Sequence, residues 1–320
     1  DVARFEDEAV ARVDAAANAL KARPWPPPEH ASPAKVYATP IATPIAIGNP
    51  HADAHAHVEQ APPFDPKGAT FLDAIGRGLD DVLTRVPESF VVGEDVGPPY
   101  GNAFLLLKPL VDKQADRMVN TPIAEGAIIG ACVGSALAGL RPIGEIQFND
   151  FVASGFNQLV NNAAKLHFRA GTKVPMTLRM PWGGLRRAGP FHSQDTSPWF
   201  YRAFGLKIVA PSTPHDARAL IMSAVLDDDP VLFYEHIALY RDPKIKQRVD
   251  DVTPIPLGRA AFRRLGGDMS LVAYGAYVHK AFAVADKLAR EGVECDVLDL
   301  RSLAPLDWAL GDKPDLVILA

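Results

Sequence analysis

The chain has 320 residues, 48% of them hydrophobic and 22% charged, with a formal net charge of −5. This composition is globular, leaves room for two domains and a substantial core, and excludes a disordered or fibrous chain. The acidic balance gives no electrostatic footprint for a nucleic-acid partner, and the two cysteines, Cys132 and Cys295, lie in apolar segments and read as buried thiols of a cytoplasmic protein rather than as a disulfide framework.

Residues 2–22 space Val2, Phe5, Ala9, Val13, Ala16 and Leu20 at helical intervals, and Pro24 ends that helix. From Pro24 to Pro66 lie 11 of the 29 prolines, with few large apolar residues, so this stretch reads as an extended linker. It contains His51, His55, His57 and Glu59, a spacing open to metal binding but equally at home in a solvated tract. An amphipathic helix is expected from Thr70 to Thr84, then a buried strand Phe90–Gly93 ending in Glu94-Asp95. Further strands are expected at Pro142–Phe148, Met176–Met180, Lys207–Ala210 and Val231–Tyr234, with a helix from Phe151 to Phe168. A second helix is capped by Ser212-Thr213-Pro214, with Asp216 in its first turn. Past Val252–Gly258 a new unit starts: strand Met269–Tyr274, helix Val278–Arg290, strands Cys295–Leu300 and Leu316–Leu319. Strands alternating with helices imply parallel βαβ units. The expected architecture is α/β, with two open parallel-sheet domains behind a helix and a Pro-rich linker. The segments are residues 1–67, 68–251 and 252–320. The sequence begins without Met and stops inside an expected strand, as an excerpt of a longer polypeptide would.

The run from Ile123 to Leu140 is apolar or small except for Glu125. Thr121-Pro122 reads as its helix cap and first turn. A membrane span is rejected, because the run is minimal in length, interrupted by an acid and rich in glycine. Gly126, Gly130 and Gly134 line one face, where a subunit could approach closely. A carboxyl buried in such a helix must stay protonated or find a partner, and a cofactor needing a hydrogen bond from an acid would supply one. The alternative is an ordinary acid in a first helical turn, favoured by the dipole.

No zinc spacing, phosphate loop, dinucleotide fingerprint or serine nucleophile elbow occurs. What remains is acids at element ends, aromatics and a loop histidine. Ligands of open parallel sheets bind beyond the carboxyl ends of the strands. Glu94 ends one strand and Phe151 follows another. His192 lies in the loop after the Met176 strand, and Glu125 opens a helix.

Six ordered motifs then carry a family resemblance: V-V-G-E-D-V-G, N-T-P-I-A-E-G, L-A-G-L-R-P-I-G-E-I-Q-F-N-D-F, H-S-Q, G-L-K-I-V-A-P-S-T-P-H-D-A-R and D-D-D-P-V-L-F-Y-E. From about Ala69 onward the chain resembles the β subunit of the decarboxylating component of 2-oxo acid dehydrogenase complexes, including the pyruvate, branched-chain and acetoin enzymes. Its first 40 residues, ending in P-A-K-V-Y-A, resemble the tail of the α subunit, as in a fused α–β polypeptide.

The resemblance implies a transketolase-like pyrimidine-binding domain and the start of a transketolase C-terminal domain. It implies thiamine diphosphate shared with an α half that holds magnesium. It also implies a second copy of this chain and a lipoyl-bearing dihydrolipoyl acyltransferase that accepts the acyl group. Glu125 matches the glutamate that hydrogen-bonds the pyrimidine, and Phe151 the aromatic on its face. Glu94 matches an acid of a relay between paired sites, while Ser154 stands where some relatives carry a further acid. His192 matches the loop histidine that meets substrate or lipoyl group, and its near-neutral titration suits proton transfer. Arg186 and Arg187 could attract a carboxylate or stand as a solvated turn. Met176, Ala224, Val225, Asp227 and Asp229 match a structural potassium site. Two other readings are carried along: another thiamine enzyme of the same architecture acting on sugar phosphates, and a non-catalytic subunit that keeps the fold.

Overall fold

The structure is a computed structural model that describes residues 2–24, 36–38, 62–184 and 187–307, and the backbone of residues 316–318. His51, His55, His57, Glu59 and Arg186 lie outside the described residues. The chain divides into Asp1–Lys35 and Val36–Ala320. In the first unit, helix Val2–Lys21 buries none of its residues. No helix among the described residues is long and apolar enough to cross a membrane.

Among the described residues the second unit holds twelve strands: β1 (Phe64–Ala69), β2 (Ser89–Gly93), β3 (Met118–Asn120), β4 (Arg141–Glu145), β5 (Thr177–Trp182), β6 (Lys207–Val209), β7 (Val231–His236), β8 (Ala261–Arg264), β9 (Met269–Ala273), β10 (Cys295–Asp299), β11 (Ser302–Ala304) and β12 (Leu316–Ile318). Seven form one sheet in the order β11-β6-β7-β5-β4-β2-β3, and four form a second in the order β12-β9-β10-β8. Every pairing in the large sheet is parallel except β11 against β6. In the small sheet β8 is the antiparallel member. Strand β11 leaves the small sheet's chain segment and joins the large sheet, so the two sheets are stitched together.

Helices cover both faces of the large sheet, as parallel strands require. On one face helix Phe71–Arg85 starts at a capping box. Thr70 accepts the Asp73 N–H, and the Asp73 carboxylate accepts from the Thr70 N–H. Phe71, Ile75, Leu79, Val82 and Leu83 fall on its buried stripe and pack with helix Pro214–Leu226. Gly78 is needed at that crossing, because a Cβ there would come within 2.4 Å of the Ile221 side chain and 3.0 Å of the Arg218 carbonyl. On the other face helix Glu125–Leu137 buries Ile128, Ile129, Cys132, Val133 and Ala136. Cys132 and Cys295 are both buried and unpaired, and burial pushes the Cys132 thiol up to about 12.

The structure differs from the sequence reading, or adds to it, in several places, each for a physical reason. The Ile123–Leu140 run starts its helix at Glu125 rather than after Thr121, with Ala124 at the cap position. Thr121 instead prolongs β3, donating its N–H to the Gly93 carbonyl, and Ile123 is 82% exposed. The expected helix Phe151–Phe168 is a 3-10 segment (Asn149–Gly155), a π segment (Gln158–Ala163) and a short α-helix (Ala164–Ala170). Its first turn is diverted because the Asn149 and Asp150 side chains bond a loop some 45 residues away in the chain. The glycine face of helix Glu125–Leu137 serves this chain first. A Cβ on Gly126 would lie 3.1 Å from the Ser154 carbonyl and one on Gly130 3.6 Å from Gln158, while Gly134 alone faces open space. Strands β1, β3, β8 and β11 went unread, three of them being short or at sheet edges.

Candidate active site

Four sequence-flagged residues leave the carboxyl ends of four consecutive strands of the large sheet, in the order β5-β4-β2-β3. His192 follows β5, Phe151 follows β4, Glu94 follows β2, and Glu125 follows β3. This is where open parallel sheets bind ligands. Contacts confirm that the four converge. The His192 ring stands edge-on to Phe151 at 5.2 Å and to Phe148 at 4.7 Å. Ser154, one turn beyond Phe151, donates its hydroxyl to the Phe151 carbonyl at 3.0 Å and lies 3.4 Å from the Glu125 carboxylate. Burial, and then the Glu125 carboxylate and Asp95, raise Glu94 above the ordinary carboxyl range.

Two residues of the N-D-F motif, unassigned by the sequence reading, bring His192 to this place. Asp150 Oδ1 accepts the N–H groups of Ser193 and Gln194 and the Gln194 side-chain amide, at 3.0–3.2 Å. Asn149 donates to the Gln194 carbonyl at 2.9 Å and accepts from the Thr196 N–H and hydroxyl. The segment just after His192, from Ser193 to Thr196, is thus tied to Asn149 and Asp150. A buried polar pair at a strand end, followed by an aromatic, was the available signal.

Two polar atoms at the site, Glu94 Oε2 and His192 Nδ1, are buried without a hydrogen-bond partner among the described residues. Leaving such a group unsatisfied costs about 1–3 kcal/mol, so each calls for a ligand or partner that completes it. Glu125 is half-exposed rather than buried within this chain, contrary to the expectation from its apolar neighbours, because its helix begins at that residue and opens toward the site. Arg187 is exposed, with a left-handed backbone (φ 54°). Among the described residues no group of three or more His, Cys, Asp or Glu could hold a metal ion.

The five residues matched to potassium have other partners. The Lys207 ammonium lies 2.8 Å from Asp227 and 3.0 Å from Asp229, all three side chains being buried. Arg141 donates to the Val225 and Asp227 carbonyls at 3.0 and 2.8 Å. The Met176 carbonyl accepts from Val231 and that of Ala224 from Asp227. Asp229 also accepts the Ala38 N–H at 2.6 Å, and the Tyr37 ring covers Lys207 at 5.5 Å. The Asp227 and Asp229 carboxylates are thus taken by a protein ammonium, and the corner anchors residues 37 and 38.

Comparison with known proteins agrees with this geometry. The transketolase pyrimidine-binding domain family matches residues 67–243, and the transketolase C-terminal domain family matches residues 258–317. The chain is 40% identical over 241 residues to the 2-oxoisovalerate dehydrogenase subunit beta of Bacillus subtilis (strain 168), covering 74% of this chain and 73% of that one. It is 40% identical over 242 residues to the pyruvate dehydrogenase E1 component subunit beta of Leifsonia xyli subsp. xyli, covering 74% and 71%. It is 39% identical over 246 residues to an acetoin:2,6-dichlorophenolindophenol oxidoreductase subunit beta of Cupriavidus necator, covering 73% and 72%. A solved split-gene transketolase, an inactive beta4 tetramer, shares the fold at 21% identity, with a TM-score of 0.62 over 75% of this chain and 74% of that one. The parallel sheet, the four residues at its carboxyl edge and these matches together place the chain in the transketolase-like family of 2-oxo acid dehydrogenase E1 β subunits.

Proposed function

We propose that this chain builds the pyrimidine-side half of a thiamine diphosphate site and, with an α half, decarboxylates a 2-oxo acid and passes the acyl group to a lipoyl domain. Residues 68–251 form the pyrimidine-binding part and 252–320 the C-terminal part. The observation that carries the reading is the convergence of Glu125, Glu94, Phe151 and His192, with two buried polar atoms left for a ligand to complete.

The residues fit the coenzyme's aminopyrimidine, which is flat and needs both an aromatic face and an acid. Bound thiamine diphosphate supplies an electron sink for the carbon–carbon bond that breaks when carbon dioxide leaves. Glu125 holds a proton toward the pyrimidine, and its helix start keeps the carboxyl at the open edge of the sheet. Covering that edge with coenzyme and α half removes water from around Glu125. Phe151 sets the pyrimidine's plane. Glu94 shares the acid environment of Glu125 and holds a proton more readily than a solvated carboxyl. His192, with one ring nitrogen buried and free, moves a proton to or from the acyl acceptor. Magnesium and the diphosphate belong to the α half. Glu125, His192 and the tethered segment after it favour a catalytic chain over an inert subunit, and among the described residues the site shows no cluster of basic side chains suited to a sugar phosphate.

His192→Gln tests the division of labour. With the full-length polypeptide and a lipoyl domain, acyl transfer falls by about 10²–10⁴-fold, the usual range for a lost acid–base group. Reduction of an artificial electron acceptor falls far less. Equal losses in both assays would place His192 in the decarboxylation step and contradict the assignment.

A further inference from the structure

Beyond the four residues above, the end of β4 carries two buried side chains that the proposed chemistry leaves unused. Glu145, the last residue of β4, and Gln147, two residues past it, are 0% and 5% exposed. Both reach into the segment that follows Glu94. That segment is strained. Asp95 (φ 54°), Asn102 (φ 70°) and Leu105 (φ 62°) all have left-handed backbones, which persist only where the surroundings over-determine them.

The surroundings here are specific. Glu145 Oε1 accepts from the Asn102 side-chain amide at 2.8 Å. Asn102 Oδ1 in turn accepts the N–H groups of Phe104 and Leu106, both at 3.0 Å, and the Asn102 N–H donates to the Asp95 carbonyl at 2.7 Å. Gln147 closes the ring. Its Oε1 accepts the Ala103 N–H at 2.7 Å, and its Nε2 donates to the Glu94 carbonyl at 2.6 Å. One carboxamide therefore ties the far side of the strained turn to Glu94 itself.

We propose that Gln147 is a positioning residue for Glu94, its carboxamide fixing the direction in which the Glu94 carboxyl enters the site beside Glu125. The inference rests on the proposed reading of this site as the active site. Only a side chain carrying both a donor and an acceptor at this reach can make both bonds. Glutamate would set an acceptor against the Glu94 carbonyl, and methionine would fill the space with neither bond. The groups bearing on the Glu94 carboxyl are Glu125 from the neighbouring helix and Asp95 on its own turn. A small rotation of Glu94 alters its distance to both.

The test is a double-mutant cycle of Gln147→Met and Glu94→Gln in the full-length polypeptide, with Gln147→Glu as a second probe. For 2-oxo acid decarboxylation, Gln147→Met lowers kcat by about 10- to 100-fold with KM unchanged, the scale of loss from misplacing a group by about 1 Å. It has no further effect once Glu94 is Gln. Gln147→Glu, which keeps the Ala103 bond but not the Glu94 bond, reproduces the loss. Additive losses, or a lower melting temperature with kcat unchanged, would overturn the proposal. A second arm needs no coenzyme. A carboxyl raised on folding contributes stability that is lost as pH rises through its folded value. The Glu94-dependent part of the melting-temperature profile therefore shifts in Gln147→Met and vanishes in Glu94→Gln. Coupling in this arm, with no decarboxylation by the wild type, would sink the proposed function and leave the positioning role standing; no coupling in either arm would sink the positioning role.

Discussion

Glu125→Gln leaves the full-length polypeptide folded but lowers 2-oxo acid decarboxylation by about 10²–10⁴-fold, the range expected when a positioned acid is removed. Glutamine keeps the shape of the side chain and its acceptor oxygen but holds no transferable proton. The structural cost is small. Glu125 is half-exposed at a helix start, and the Ser154 hydroxyl approaches its carboxylate only at a long 3.4 Å. Substitutions at such positions change stability by about 0.5 kcal/mol or less. Turnover and thermal melting measured side by side separate the two effects. Turnover equal to wild type would remove Glu125 from the chemistry.

Arg179→Met has the largest expected effect on stability. Arg179 is fully buried on β5, and its guanidinium makes two bonds of 2.7 Å to Glu235 and one to Glu145, both of them also buried. The Tyr240 hydroxyl and the Asn102 amide complete the two carboxylates. Removing the cation strands two acids in the core, which costs about 3–5 kcal/mol when one partner of a buried pair is deleted. The loss depends on pH in a definite direction. Burial already pushes Glu145 up to about 7, against the opposing pull of Arg179. Without that pull it rises further. A carboxyl raised in the folded state stabilises below its unfolded value and loses that contribution as pH rises through its folded one. Urea unfolding therefore finds Arg179→Met much weaker than wild type near about pH 8 and closer to it near about pH 5. A loss of the same size at both would show that charge burial is not its cause. Since Glu145 also holds Asn102, the same variant loosens the turn behind Glu94.

Much of the architecture was legible because it is local. Thr213 caps its helix as its spacing to Asp216 suggests, and the helix expected from Thr70 is capped by that residue. The apolar strand runs fall within a residue or two of β2, β7, β9 and β10. The Ile123–Leu140 helix was mis-started because Thr121 is used by a strand pairing that no local pattern announces. The break after Phe151 was hidden for the same reason, since Asn149 and Asp150 serve a distant loop. The buried ionic cluster was the costliest omission. Arg179 and Glu235 each stand as a lone charge within an apolar strand, and Glu145 as the lone acid of its own. Strands at the centre of a parallel sheet are covered on both faces, so such charges on three neighbouring ones must meet. The potassium assignment came from resemblance alone, and no local pattern announces that Lys207 and Arg141 reach the Asp227 and Asp229 corner.

The claim that the carboxyl edge of this sheet is half of a decarboxylating thiamine site is tested most directly by carbon dioxide release. The full-length polypeptide, loaded with thiamine diphosphate and magnesium, is given pyruvate or a branched-chain 2-oxo acid. Release from at least one of these substrates is the predicted result. A coenzyme-loaded protein that releases carbon dioxide from neither, yet remains folded, would contradict it.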